Sequence, residues 1–216
     1  MVKTLSDQDL VRLFKKGRYE AFEELLKRHS SKIYNFIFRF FKNQPLSEEL
    51  EQEVFMKVYQ KLDSYKDNMK FSTWIFSIAR NLCIDEYRKR KIRKVISLEE
   101  HLTKRKFKDG DIFLADIPDP QAIHPENAYL LKEREYWMQR AVERLPLEQR
   151  EIVELKEREN LTFQEIAQVT GESINTVKSR MRYALLNLSK ALQSFGVFDS
   201  LNIKTHGVYE NGVPSV

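Results

Sequence analysis

One cysteine, Cys83, is the whole thiol content of this 216-residue chain. A single thiol cannot form an internal disulfide, so the fold must rest on packing, and the composition suits a reducing compartment. Glycine and proline are equally scarce, at six residues each. With Lys, Glu, Leu and Arg abundant, that scarcity favours helix over sheet. No run approaches the roughly 20 apolar residues that a membrane span requires. The opening Met1-Val2-Lys3-Thr4-Leu5-Ser6-Asp7 lacks the apolar core of a secretory leader. The expected location is therefore cytoplasmic, without membrane insertion. Histidine is sparse as well: His29, His101, His124 and His206 stand singly, none with a carboxylate or cysteine at metal-ligand spacing. No catalytic residue, metal site or cofactor is assigned, and the chain is expected not to be an enzyme.

What is present is charge and helical periodicity. Charged residues make up 32% of the chain and apolar ones 42%, a profile of thin cores under a large solvated surface. The net charge of +5 is weak evidence for a polyanionic partner, so the distribution of charge matters more. Ser6 can cap a first helix carrying Leu10, Leu13 and Phe14 and ending at Gly17. A second stripe runs through Phe22, Leu25, Leu26, Ile33, Phe36, Ile37 and Phe40, with Pro45 as its stop and Ser47 as the cap of a third helix. Residues 63–70 are polar and aperiodic and read as a loop, after which a long helix starts at Phe71. Periodicity fails from about 93 to 127, where Pro118, Pro120 and Pro125 forbid a continuous helix. The fold class is therefore all-α: two small helical domains, 1–92 and 128–195, joined by a flexible linker, 93–127, with a loose tail at 196–216.

The second domain carries a helix-turn-helix pattern. Thr162 and Glu165 form a capping box, Leu161 and Ile166 sit at staple positions, Gly171 supplies the turn, and Ser173 caps the second helix. In that helix Ile174, Val177, Met181, Leu185 and Leu188 are expected on one buried face. Residues 173–190 hold four cations and no anion, a composition that suits a DNA major groove. A solvated helical hairpin of any all-α protein is the plainer alternative.

The first domain offers three further features. Residues 46–53 include four carboxylates, which either favour the helix dipole or form a docking face for a basic partner. Residues 65–87 interleave aromatics with cations and amides, as single-stranded nucleic acid requires, although Phe71, Trp74 and Ile78 have core spacing. Residues 88–94 contain six cations in seven positions, which suits phosphates or a solvated helix end. An ordinary duplex-binding repressor or activator would account for the second domain but not for these features together. A nuclease would leave the isolated histidines without a metal site.

The ordered set of motifs resembles the sigma-70 family, specifically its extracytoplasmic-function (ECF) group. The strings are Gln52-Glu53-Val54-Phe55, Phe71-Ser-Thr-Trp-Ile-Phe-Ser-Ile-Ala-Arg-Asn-Leu-Cys-Ile-Asp85, Leu145-Pro146 with Arg150, Leu161-Thr-Phe-Gln-Glu-Ile-Ala167 and Thr176-Val-Lys-Ser-Arg180. The resemblance implies a promoter-recognition subunit that binds the RNA polymerase core, including its largest and second-largest subunits, together with promoter DNA and an anti-sigma inhibitor. It also implies association with the nucleoid when in holoenzyme. Glu48, Glu49, Gln52, Glu53 and Phe55 are the implied polymerase-binding residues. Ser64, Tyr65, Asn68, Lys70, Phe71, Ser72, Trp74, Arg80, Asn81, Asp85, Arg88 and Lys89 would serve the minus-ten element. Thr176, Lys178, Ser179, Arg180, Arg182 and Tyr183 would read the minus-thirty-five element. One departure stands out: where relatives often read Asp-Ala-Glu-Asp, this chain has Leu46-Ser47-Glu48-Glu49 and loses an acid.

Overall fold

The computed structural model describes residues 4–66, 68–102 and 126–196, with side-chain surroundings for 4–66, 68–93 and 133–196. The expected tail and most of the expected linker lie outside the described residues. Among those described, every regular element is helical: α1 (Asp7–Lys15), α2 (Glu20–Phe41), α3 (Gln44–Lys61), α4 (Phe71–Leu102), α5 (Glu126–Glu143), α6 (Leu147–Val153), α7 (Phe163–Thr170) and α8 (Ile174–Ser194). A 3-10 turn spans Leu62–Ser64, and one π turn, Glu154–Arg158, extends α6. Contacts divide the chain into two compact units. One holds α1 to α4 with residues 156–174; the other holds α5 and α6 with the body of α8 from Asn175.

In the first unit α2 is the central element. Its apolar positions recur by threes and fours, so Leu25, His29, Ile33, Phe36 and Ile37 fall on one buried face, against α1, α3 and α4. Phe36 is fully buried and meets the Phe76 ring edge-on at 5.5 Å; His29 meets Phe71 at 5.3 Å. Burying each such side chain contributes about 1.5–3 kcal/mol. Ser6 caps α1, accepting from the Asp9 amide, and the backbone turns at Gly17 with φ +85°. The Asp7 carboxylate then joins α1 to α2, accepting from His29 Nε2 at 2.7 Å and Arg28 Nη1 at 3.0 Å.

Two local expectations need correction. The second helix stops at Phe41, short of Pro45, because Lys42 turns the chain in the left-handed region at φ 49°. Asn43 caps α3 in place of Ser47, its Oδ1 accepting from the Leu46 amide at 2.9 Å. Pro45 lies inside the first turn of α3, where its missing N–H costs nothing. Ser47 is buried and donates to the Asn43 carbonyl at 2.7 Å. In addition, α4 remains helical to Leu102, past the point where apolar periodicity fails, in a stretch free of Pro and Gly and rich in helix formers.

In the second unit α5 and α6 hold α8. Trp137 packs on Phe195 at 5.2 Å, the Arg144 guanidinium lies 4.2 Å over the Phe195 ring, and Asn187 Nδ2 donates to Gln149 Oε1 at 2.8 Å. The buried positions of α8 are Val177, Met181, Ala184, Leu188, Ala191 and Leu192. Ile174 and Leu185, expected in that core, are 40% and 54% exposed. Ala184 takes the buried place, and Leu185, one residue on, is rotated by about 100° out of it.

The Asp7 junction generates a pH prediction. Hydrogen bonding from His29, then charge and hydrogen bonding from Arg28, hold the Asp7 carboxyl below its ordinary value of 3.8, against the opposing effect of burial. A carboxylate lowered on folding adds stability that is complete above its unfolded value and vanishes as pH falls through the folded one. Asp7→Asn should therefore lower the urea midpoint at pH 7, and the gap between variant and parent should close as pH falls below about 4. A gap that stays constant between pH 7 and 3 contradicts this assignment.

Candidate polymerase and nucleic-acid interfaces

The first candidate surface is the outer face of α3. Leu46, Leu50, Val54, Phe55 and Val58 turn inward, which leaves Glu48, Glu49, Gln52, Met56, Tyr59 and Gln60 exposed on the opposite side and Glu53 at its edge. Phe55 is only 7% exposed, so the structure places it under the surface as support and not on it. Leu46 is also buried, which explains the missing acid: this chain spends that position on packing. Sequence reasoning missed Met56 and expected Tyr59 on the apolar stripe of this helix with Leu50, Val54, Phe55, Val58 and Leu62, but the two are 60% and 49% exposed, on the same side as Gln52. Their spacing of four and seven residues from Gln52 was the available signal. Tyr59 is braced from behind by edge-on contacts with Phe14 and Phe22. The surface is thus acidic and amide-rich at one end and apolar at the other.

The second candidate surface is the loop before α4 together with one stripe of α4. Ser64, Asn68 and Lys70 are exposed, and the Ser64 hydroxyl donates to the Lys61 carbonyl. Tyr65 corrects the expectation of base stacking. It is 4% exposed, with its ring 5.9 Å from Phe71 and 5.1 Å from Trp74, so no base can lie on it as it stands. Phe71 is fully buried, as its spacing allowed. Along α4 the geometry gathers Trp74, Asn81, Asp85 and Arg88, separated by seven, four and three residues, into one stripe. Of these Asn81, Asp85 and Arg88 are exposed and Trp74 is half-buried. Ser72 and Arg80, half-buried, and Lys89, exposed, fall off that stripe. Within the basic run Arg90 is engaged by Glu86 at 2.8 Å and by the Phe41 ring, while Arg88, Lys89, Lys91 and Arg93 face solvent.

The third candidate surface is on α8. The capping box forms as expected: Thr162 Oγ1 accepts from the Glu165 amide at 3.2 Å and Glu165 Oε2 accepts from the Thr162 amide at 2.8 Å. Gly171 then takes φ +73°, a conformation L residues resist. On α8 the residues Asn175, Thr176, Lys178, Ser179, Arg182 and Tyr183 are exposed, two of them cations and the rest hydrogen-bonding groups. The Arg182 guanidinium lies 5.3 Å over the neighbouring Tyr183 ring. Arg180 is set apart from this group: it is half-buried at the flank, with Nη1 at 3.9 Å from the Oε1 of fully buried Glu151 in α6. Arg180 thus presents less of its side chain to solvent than Lys178 and Arg182 do. Sequence spacing gave no sign of the Arg180–Glu151 pair. Among the described residues no group of His, Cys, Asp and Glu could hold a metal ion, and no helix is long and apolar enough to cross a membrane.

Comparison with known proteins matches the two regions of the chain that contain these surfaces. The family description "Sigma-70 region 2" matches residues 25–92 and "Sigma-70, region 4" matches residues 136–188. The chain is 31% identical over 183 residues to the ECF RNA polymerase sigma factor SigW of Bacillus subtilis, covering 85% of this chain and 95% of that protein. It is 29% identical over 181 residues to the ECF RNA polymerase sigma-E factor of Escherichia coli K12, covering 84% and 91%. In fold it is similar to the sigma factor RpoE of Bartonella quintana, solved in complex with the anti-sigma factor NepR. That likeness has a TM-score of 0.60 at 23% identity and covers 80% of this chain and 96% of that one.

The caps make a stability prediction. Thr162→Ala should cost about 1 kcal/mol and Gly171→Ala about 1–2 kcal/mol, the second purely through backbone strain, since a Cβ there would meet nothing within 4 Å. Urea unfolding with amide exchange over α7 measures both; unchanged protection in Thr162→Ala would contradict the capping role.

Proposed function

The chain belongs to the sigma-70 family, as an ECF-type RNA polymerase sigma factor, and from that premise we propose how its three surfaces divide the work of promoter recognition. The family role is to direct core polymerase to specific promoters and start transcription. The observation that carries the finer reading is that both matched regions lie in order on one chain, each leaving an exposed face of suitable chemistry.

The outer face of α3, Glu48, Glu49, Gln52 and Glu53 with Met56 and Tyr59, docks the polymerase core. Carboxylates steer and orient a basic partner, while burial of the apolar end supplies affinity. The loop at 62–70 captures an unpaired base of the minus-ten element, with Asn68, Lys70 and Trp74 at the surface. Extracting a base costs a few kcal/mol, which a shaped pocket offsets. Asn81, Asp85 and Arg88 face the duplex just upstream, with Lys89 and its neighbouring cations on phosphates. Thr176, Lys178, Ser179, Arg182 and Tyr183 read the minus-thirty-five element from the major groove, and Arg180 holds their helix in place. Residues 1–92 and 128–195 act as the two functional domains, with 93–127 as the connection and 196–216 as a tail. An anti-sigma factor would act by covering these same faces. The chain has no catalytic role of its own, needs no cofactor, and works in the cytoplasm, on the nucleoid when in holoenzyme.

Run-off transcription with reconstituted holoenzyme on a genomic fragment library tests this reading. Defined start sites that depend on the chain are expected; duplex binding without holoenzyme would instead mark a free-standing helix-turn-helix regulator. In the same assay Lys178→Ala or Arg182→Ala should relax preference at the upstream element by about 1–3 kcal/mol if bidentate base contacts are lost. Full retention of sequence preference by both variants would rule out this reading face.

A further inference from the structure

A loop that accepts a flipped base must keep its shape while empty, since ordering it on arrival would subtract from the affinity for the base. Among the described residues between Leu62 and Phe71, the Tyr65 amide donates to the Leu62 carbonyl at 3.2 Å, and the Lys70 carbonyl accepts from the Trp74 amide at the start of α4. Among the described residues, a side chain bridges the span between them. The Tyr65 hydroxyl donates to the Met69 carbonyl at 2.5 Å, closing the loop across four residues. The Tyr65 carbonyl in turn accepts from Lys15 Nζ at 2.8 Å, so the last residue of α1, fifty positions away, fastens the loop to the body of the unit. The ring is buried between Phe71 and Trp74, while Asn68 stays exposed.

We propose that the Tyr65 hydroxyl and the Lys15 ammonium are positioning residues for base capture: they touch no base but set the shape of the loop that does. Ring packing alone would be served equally by phenylalanine. The hydroxyl donates within the loop to the Met69 carbonyl, and Lys15 of α1 donates to the Tyr65 carbonyl. The proposal rests on the reading of residues 62–70 as the base-capturing loop.

The test uses holoenzyme carrying the full-length chain as parent, Tyr65→Phe, Lys15→Met or Asn68→Ala, on promoter fragments bearing each of the four bases at the captured position. Opening is followed by permanganate reactivity, duplex binding by filter retention, and stability by thermal unfolding. Tyr65→Phe should slow opening about tenfold, the effect of losing one well-made hydrogen bond, and should flatten the discrimination among the four bases. Its duplex binding and unfolding temperature should stay near those of the parent. Lys15→Met should act in the same direction but less strongly. Normal opening and base preference in Tyr65→Phe, with Asn68→Ala impaired, would overturn the brace and leave base capture standing. Equal loss for all four bases in step with a lower unfolding temperature would overturn it too, as a purely structural role. If none of the three variants alters opening, the reading of the loop fails, and the proposal with it.

Discussion

A helix that buries one stripe in a small core must leave the opposite stripe in water, and the surfaces proposed for partners in this protein are what that constraint leaves over. α3 and α4 each commit one side to the first core, and α8 commits one to the second. The exposed sides then carry carboxylates and amides, a polar stripe with a half-buried tryptophan, and cations with hydroxyls, respectively. Partner chemistry is read from the composition of the leftover face, because the buried faces are mostly Leu, Ile, Val, Phe and Ala at helical spacing.

The first core also reaches outward to fix what lies on its surface. Near the start of α4, His29 from α2 touches both Asp7 of α1 and Phe71 of α4, and Phe71 and Trp74 receive Tyr65 from the loop. The loop before α4 is thereby tied to buried residues of α2 and α4. In the second unit the Arg180–Glu151 pair plays a comparable part. A cation beside a carboxylate buried in α6 lowers the cost of that burial and links α8 to α6.

Local chemistry was legible in the sequence wherever it depended on neighbours a few positions apart. Ser6, the Thr162–Glu165 box, the Gly171 turn and the stripe of α2, except Leu26, which is 37% exposed, follow from spacing of one to seven residues. The start of α3 was misread because Pro45 permits two outcomes, a stop or a first turn, and Asn43 decided between them. The burial of Tyr65 could not be read, since its partners Lys15, Phe71 and Trp74 come from two helices, one of them fifty residues away. The inward turn of Arg180 was hidden for the same reason: its partner lies on another helix. Matching of family strings suggested the roles proposed for the faces, whereas the structure separated side chains that stand on a face from those buried beneath it.

The central claim is that each exposed face meets one class of partner, and site-specific photocrosslinking in a single holoenzyme–promoter complex tests it most directly. With a benzophenone side chain placed in turn at Gln52 on α3, Asn68 in the loop and Lys178 on α8, all exposed, the account predicts a division. Gln52 should crosslink to polymerase alone, Asn68 to the minus-ten strand, and Lys178 to the minus-thirty-five duplex. Crosslinking of Gln52 to promoter DNA, or of Asn68 and Lys178 to polymerase but not to DNA, would contradict it.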